Sequence, residues 1–229
     1  MTQKSLLLVG ASRGLGLAMA EDFVKRGWSV VGTVRGAKRT GLHDLQDRHG
    51  DAVEIAELDM TRVEDITALH DRLAGRRFDM LFVNAGTTNA NPEETIGAVS
   101  TEEFMRVMLT NVLGPMRVVE RLDHLVPPDG LIGVMSSGQG SIANNLKGGR
   151  EVYRGSKAAL NQYMRSYAAR EAGRALVLVA PGWIRTDLGG PDAPFTIEES
   201  VPKIVDLLIG QMGKGGLRYL DRDGKDVPW

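Results

Sequence analysis

The sequence predicts a single α/β domain built on a doubly wound, mostly parallel seven-stranded sheet with helices on both faces. Three observations carry this. Short apolar runs alternate with longer segments of helical periodicity along the whole chain. The runs are apolar at consecutive positions, as strands covered on both faces require, and not at every second one. No Pro/Ser-rich or like-charge stretch divides the 229 residues, so residues 1–229 read as one unit. Right-handed crossovers then place helices on each side of the sheet.

Taken in order, Ser5–Val9 is the first strand, and a glycine-punctuated turn leads into a helix whose Leu15, Ala18, Met19 and Phe23 share one face before Gly27 ends it. Val30–Val34 and Val53–Leu58 are the second and third strands, with Gly36–Gly50 between them read as a loop. Ile66, Leu69 and Leu73 mark an amphipathic helix, and Met80–Val83 is the fourth strand. Thr87–Val99 reads as a loop, Thr101–Leu122 as one helix, Pro127-Pro128-Asp129-Gly130 as a turn and Leu131–Met135 as the fifth strand. After a loop at Ala143–Gly149 come a helix at Val152–Ala172 and a strand at Leu176–Ala180. A loop at Gly189–Thr196, a helix at Ile197–Gln211 and a strand at Leu217–Leu220 complete the pattern. The apolar Phe104, Val107, Met108, Val112 and Val118, with Leu160, Tyr163, Met164 and Tyr167, occupy more than one face of their two helices.

Composition excludes several classes of function. With 28 Lys+Arg against 29 Asp+Glu, there is no electrostatic case for nucleic acid or an anionic membrane. No run approaches the ~18 apolar residues of a membrane span, and Leu6–Val9 is too short for a signal-peptide core, so cytoplasmic residence is the expectation. Without cysteine there is neither a disulfide nor a thiolate nucleophile. His43, His49, His70 and His124 lack ligand spacing, so no metal is expected. No G-x-S-x-G turn or Ser/His/acid grouping suggests a hydrolase.

Two motifs carry chemistry. Gly10-Ala-Ser-Arg-Gly-Leu-Gly16 follows the first strand and opens the first helix, where glycines let the backbone approach a pyrophosphate and the helix N-terminus offers N–H groups to it. No Gly-Lys-Ser/Thr follows, which excludes a Walker loop. The second strand ends Gly32-Thr33-Val34-Arg35, without the carboxylate that would hold a ribose 2′-hydroxyl. Arg13 and Arg35 are instead placed to pair with a 2′-phosphate, which favours NADP(H) over NAD(H). The second motif is Tyr153-Arg-Gly-Ser-Lys157, whose Tyr and Lys share a helix face one turn apart. A cation about 4 Å from a phenol would lower its pKa by roughly three units, so this pair makes sense as a proton donor to a carbonyl.

These residues, with Asp59, Asn84-Ala-Gly86, Asn111, Ser136-Ser137 and Pro181-Gly182-Trp-Ile-Arg-Thr186 in order, resemble the short-chain dehydrogenase/reductase family over nearly the whole chain. Within it, the Ser-Ser-x-x-Gly-Ser-Ile run, Tyr-Arg-x-Ser-Lys-Ala-Ala-Leu-Asn and the terminal Asp-Gly…Pro-Trp229 are similar to the C-factor and sniffer-type carbonyl reductase group.

The resemblance implies a Rossmann fold and, position by position, a site. Tyr153 would be the general acid, with Lys157 lowering its pKa and holding the nicotinamide ribose. Ser137 would hydrogen-bond the substrate carbonyl, a role for which Ser136 and Ser141 also compete, and Asn111 would hold a relay water. Gly10, Ser12, Arg13, Gly14, Leu15 and Gly16 would cradle the cofactor, and Asp59 and Met60 would contact its adenine. Asn84, Ala85 and Gly86 would line the adenine-ribose side, Ile184 and Thr186 would meet the nicotinamide carboxamide, and Pro181 and Gly182 would also bind the cofactor. Val9 departs from the family pattern, since many members carry a Thr there whose hydroxyl ties the turn. A substrate lid is expected over residues 188–199, and Trp183, Leu146 and Phe195 suggest a largely apolar pocket.

The implied function is NADPH-dependent reduction of an aldehyde or ketone; the alternative is an NADP(H)-binding sensor or C-factor-like signalling protein. Enoyl reduction fits less well, because such relatives place the Lys farther from the Tyr. A homodimer through the two apolar-rich helices is also implied.

Overall fold

The computed structural model describes residues 3–229. Strands β1 (Ser5–Val9), β2 (Ser29–Val34), β3 (Val53–Glu57), β4 (Met80–Val83), β5 (Leu131–Met135), β6 (Ala175–Ala180) and β7 (Gly216–Asp221) form one sheet. Their order is β3-β2-β1-β4-β5-β6-β7, and every neighbouring pair is parallel, so the sheet is wholly rather than mostly parallel. Every residue of β5 and β6 is buried, the consequence of two covered faces.

Successive side chains along β1 enter opposite layers. Leu6 and Leu8 pack with Met19 and Phe23 of α1 (Gly14–Lys25), Leu42 of α2 (Gly41–His49) and Ile204 of α7 (Ile197–Gln211). Leu7 and Val9 join the other layer, built with α3 (Val63–Arg72), α5 (Gly114–Leu122) and α6 (Glu151–Arg170). The chain runs outward from β1 through β2 to β3, then returns to β4 on the far side of β1. That reversal leaves a crevice beyond the carboxyl ends of β1 and β4, where open parallel sheets bind their ligands.

The structure corrects the sequence reading in two places. The predicted loop Gly36–Gly50 contains α2, whose buried Leu42 and Leu45 anchor it to the sheet. Its start is signalled by a histidine in place of the usual Glu or Gln: His43 Nδ1 accepts from the Thr40 N–H at 3.1 Å. The predicted helix Thr101–Leu122 is broken into α4 (Thr101–Met108) and α5 by a π-turn at Leu109–Leu113. Pro115 causes this, since it has no N–H to offer the carbonyl of Asn111 four residues earlier and its ring crowds that carbonyl.

In β5, a Cβ at Gly133 would lie 2.7 Å from Phe82 Cδ2 and 2.8 Å from Val177 Cγ1. Gly133→Ala is therefore expected to destabilise the fold by about 1–3 kcal/mol through overpacking, read as a lower urea midpoint at unchanged slope.

Candidate active site

At the end of β1, Gly10 (φ 86°) turns the chain toward α1. A Cβ at Gly10 would fall 2.6 Å from Ala85 Cβ, and one at Gly16 would fall 2.0 Å from the Gly10 carbonyl oxygen. Both positions are restricted to glycine by neighbouring atoms. Gly14 differs, because a Cβ there would meet only Thr186 Cγ2, at 4.0 Å. The outer side of the turn thus opens toward the segment after β6, and α1 begins there with no side-chain cap and no acid in its first turn. Ser12 and Leu15 are half-buried in the same turn. An uncapped helix N-terminus behind a close-approach backbone fits a pyrophosphate.

The turn is braced from both sides. Asn84 Nδ2 donates to the Gly10 carbonyl at 3.0 Å, while the Asn84 and Ala85 N–H groups both donate to the Val9 carbonyl. On the β2 side, Gly10 N–H donates to Thr33 Oγ1 at 2.9 Å and Ala11 N–H to the Thr33 carbonyl. The hydroxyl tie missing at Val9 is therefore supplied from β2. Thr33 was not anticipated from the sequence, although a lone polar residue in the buried run Val30–Val34 is the signal that marks it.

Beyond β2, Arg35 is exposed and makes no ion pair among the described residues. Burial works to raise the Asp59 carboxyl, but hydrogen bonds from the Thr61 hydroxyl and N–H, with Arg35 and Arg62 nearby, hold it below the usual carboxylate range. Met60 is buried, and a Cβ at Gly114 would lie 2.9 Å from its carbonyl. Arg13 Nη1 lies 2.9 Å from Asp187 Oδ2, with both side chains 77% exposed. An ion pair this open contributes about 0–1 kcal/mol, so Arg13 can exchange partners readily.

Across the crevice, α6 carries Tyr153 and Lys157. Lys157 is buried; its Nζ donates to the Met135 carbonyl at 2.8 Å and lies 5.9 Å from the Tyr153 ring centre. Gly86 sits opposite, where a Cβ would be 3.4 Å from both Lys157 Nζ and Asn111 Oδ1. Asn111 is fully buried in the π-turn and clamps Thr87: Oδ1 accepts from Thr87 N–H, and Nδ2 donates to the Thr87 carbonyl and to Ser156 Oγ. The three serines separate. Ser136 Oγ donates to Asn161 Oδ1, Ser141 Oγ accepts from Asn144 N–H, and Ser137 is the one beside the Tyr153 phenol.

The expected acidification of the phenol by Lys157 is not found. Burial pushes Tyr153 above its ordinary value, against which the Ser137 hydroxyl and the Arg150 guanidinium act in the opposite direction. The ammonium is committed to the Met135 carbonyl, and its own burial lowers it to about 8.

After β6, Pro181 is half-buried, and Gly182 (φ 88°) brings the chain against Phe195, which pairs with buried Ile184 in a short parallel bridge. Thr186 Oγ1 accepts from Gly189 N–H, and Trp183 Nε1 donates to the Gly189 carbonyl. The expected lid, 188–199, shares its last residues with α7, which starts at Ile197 behind a Thr196–Glu199 capping box. Its base is held from below: Arg222 lies 3.4 Å from the Phe195 ring centre and donates to buried Ser200 Oγ.

Among the described residues there is no group of three or more potential metal ligands, and no helix is long and apolar enough to cross a membrane. The model of the short chain dehydrogenase family matches residues 4–194. The chain belongs to that family. This short-chain dehydrogenase is 36% identical over 155 residues to the C-signal protein of Myxococcus xanthus, covering 66% of this chain and 92% of that one. Over the full length of both chains it matches a short-chain dehydrogenase/reductase from Burkholderia multivorans with bound NADP, at 61% identity and a TM-score of 0.98. A carbonyl reductase from Pseudomonas aeruginosa PAO1 in complex with NADP matches at 33% identity and a TM-score of 0.90, again over both full chains. Membership makes this chain an oxidoreductase acting on the CH–OH/C=O couple.

The buried lysine gives a testable pH dependence. With Lys157 near 8 in the folded chain and 10.5 ordinarily, the unfolded chain holds more protons between those values, so this group's contribution to stability rises with pH across that window. Urea denaturation of wild type and Lys157→Met should show wild type gaining on the variant by on the order of 2 kcal/mol between about pH 8 and 10. A difference independent of pH would contradict the assignment.

Proposed function

We propose that this chain reduces an aldehyde or ketone with NADPH, using Tyr153 as the proton donor. The observation that carries the reading is the Tyr153 phenol beside Ser137, one turn from a buried Lys157 that faces Gly86 at the strand ends. Ser137 would hydrogen-bond the carbonyl oxygen and hold it against the phenol. Tyr153 then gives its proton to that oxygen as the carbonyl carbon is reduced, which yields the alcohol. Burial keeps the phenol protonated at neutral pH, the state a donor needs. Lys157 and the Asn111 carbonyl, which Pro115 deprives of its α-helical donor, would return a proton through water.

The residues present suit a dinucleotide carrying a 2′-phosphate. Gly10, Ser12, Gly14, Leu15 and Gly16 would take the pyrophosphate, while Arg13 and Arg35 would take the 2′-phosphate. Asp59, Met60 and Asn84-Ala85-Gly86 would hold the adenosine half. Tyr153 and Lys157 would hold the nicotinamide ribose, and Pro181, Gly182, Ile184 and Thr186 the nicotinamide. When bound, the reduced cofactor supplies the hydride. The NADP in the Burkholderia relative and in the Pseudomonas carbonyl reductase supports this choice. Residues near 188–199 would close over the substrate, with exposed Trp183, Leu188 and Leu146 offering it apolar contacts. Work in the cytoplasm fits this reading.

The likeness to C-signal favours a second reading, an NADP(H)-binding signalling protein. Tyr153→Phe separates the two. For a reductase, oxidation of NADPH at 340 nm across a carbonyl panel should fall by roughly 10²–10⁴-fold while NADPH affinity persists. A signalling protein would show no carbonyl turnover in wild type and keep its biological output in the variant.

A homodimer through α4, α5 and α6 belongs to the same proposal. Val107, Val112, Val118, Leu160, Met164 and Tyr167 are spent on the monomer core, but Phe104, Met105, Leu113 and Tyr163 stay exposed. Light scattering at micromolar concentration should give about twice the 24.8 kDa chain mass. A monomer mass would reject the dimer.

A further inference from the structure

We propose that the substrate carries a carboxylate besides its carbonyl, and that Arg150 recognises it. The proposal rests on the carbonyl-reductase reading above and specifies its substrate class. Arg150 stands at the position just before α6, three residues before Tyr153, with φ 49° and ψ 41° and no side-chain bond to the helix end. Among the described residues it is the only non-glycine residue at positive φ. A side chain is held in that left-handed conformation only where its surroundings impose it, and such positions cluster at ligand sites. Here the conformation brings the guanidinium carbon to 5.5 Å from the Tyr153 ring centre, nearer than Lys157 Nζ at 5.9 Å.

The Arg150 side chain is short of partners. Its Nε is sealed from solvent without a hydrogen-bond acceptor, and among the described residues no carboxylate pairs with the guanidinium. Acids are close by in the fold. Glu151 Oε2 accepts from Ile96 N–H at 2.8 Å instead, and Glu93 Oε2 lies 3.8 Å from where a Gly149 Cβ would stand. A half-buried guanidinium with no counter-charge is costly unless an anion completes it. With Nε sealed, the open edge is the one formed by the two Nη groups, which a carboxylate fills with two parallel hydrogen bonds. Lys157 is engaged elsewhere, since its ammonium donates to the Met135 carbonyl and faces Gly86, where its other N–H groups would hold the nicotinamide ribose. The exposed Ile142, Leu146 and Trp183 suit an apolar spacer between the two polar ends.

The test compares acids with their esters. Candidate substrates are 3- and 4-carboxybenzaldehyde and 4-oxobutanoate, each with its methyl ester, assayed in wild type, Arg150→Gly and Arg150→Lys. Glycine adopts the left-handed conformation freely, so Arg150→Gly should keep the wild-type melting temperature to within a few degrees; Arg150→Asn serves if it does not. The readout is the acid-to-ester ratio of kcat/KM. In wild type it should favour the acid in at least one pair by on the order of 10- to 100-fold, the worth of a charge-assisted hydrogen-bonded pair. Arg150→Gly should bring that ratio to about one, and Arg150→Lys should retain part of it.

An influence of Arg150 on the Tyr153 phenol alone would change acid and ester rates together and leave the ratio intact, which overturns the proposal. So does a wild type that turns over the aldehydes but prefers no acid in any pair. Calorimetric titration with 4-methylbenzoate, which has no carbonyl to reduce, separates this inference from the reading it rests on. Binding at least 10-fold weaker in Arg150→Gly, with no aldehyde turned over by wild type, would sink the reductase reading and leave the carboxylate site standing.

Discussion

The site is organised around one buried charge. Lys157 sits inside the protein at the carboxyl end of β5, with its ammonium on the Met135 carbonyl and Gly86 directly across from it. Burying a cation is expensive, and the depressed value near 8 records that cost. What keeps it in place is the packing of α6 against the sheet through Leu160, Met164 and Tyr167. Tyr153, Ser156 and Asn111 are then fixed relative to it. Ser156 lies one residue before Lys157 and accepts from Asn111, which in turn clamps the start of the β4–α4 segment through Thr87.

The phenol shows why spacing alone does not determine electrostatics. Tyr153 and Lys157 do lie one turn apart, as their separation in sequence requires. Proximity along a helix says nothing about which acceptor takes the ammonium, nor about how much water the fold leaves around the hydroxyl. Both are tertiary facts, and together they reverse the expected direction of the shift. The outcome is compatible with a proton donor, since a phenol that resists ionisation is a donor that stays loaded.

Most of the architecture was legible because the parallel sheet writes itself as runs of consecutive apolar residues. β1, β4, β5 and α7 start and stop where the patterning places them, and the remaining strands differ by a residue or so at their ends. α2 was missed because it has only two buried leucines in a polar stretch and opens on a histidine cap rather than a Glu or Gln. The π-turn was invisible to periodicity, although Pro115 after Asn111 announced a disturbed helix. Within the site, the glycine turn and the α6 pair were readable from residue type and spacing. Thr33 was not, because its hydroxyl acts through a contact made across the fold, and the left-handed backbone at Arg150 is likewise something that composition does not reveal.

The grip of Arg222 on Phe195 gives the far end of the molecule a share in the mouth of the crevice. Arg222 follows β7 directly, and its guanidinium, packed on that ring and bonded also to Ser200, ties the end of the sheet to the segment that leads into α7. The C-terminal edge of the sheet thus acts as a clasp: loosening it would be felt at Phe195 and, through the Tyr219 hydroxyl on the Ser137 carbonyl, beside Tyr153 as well.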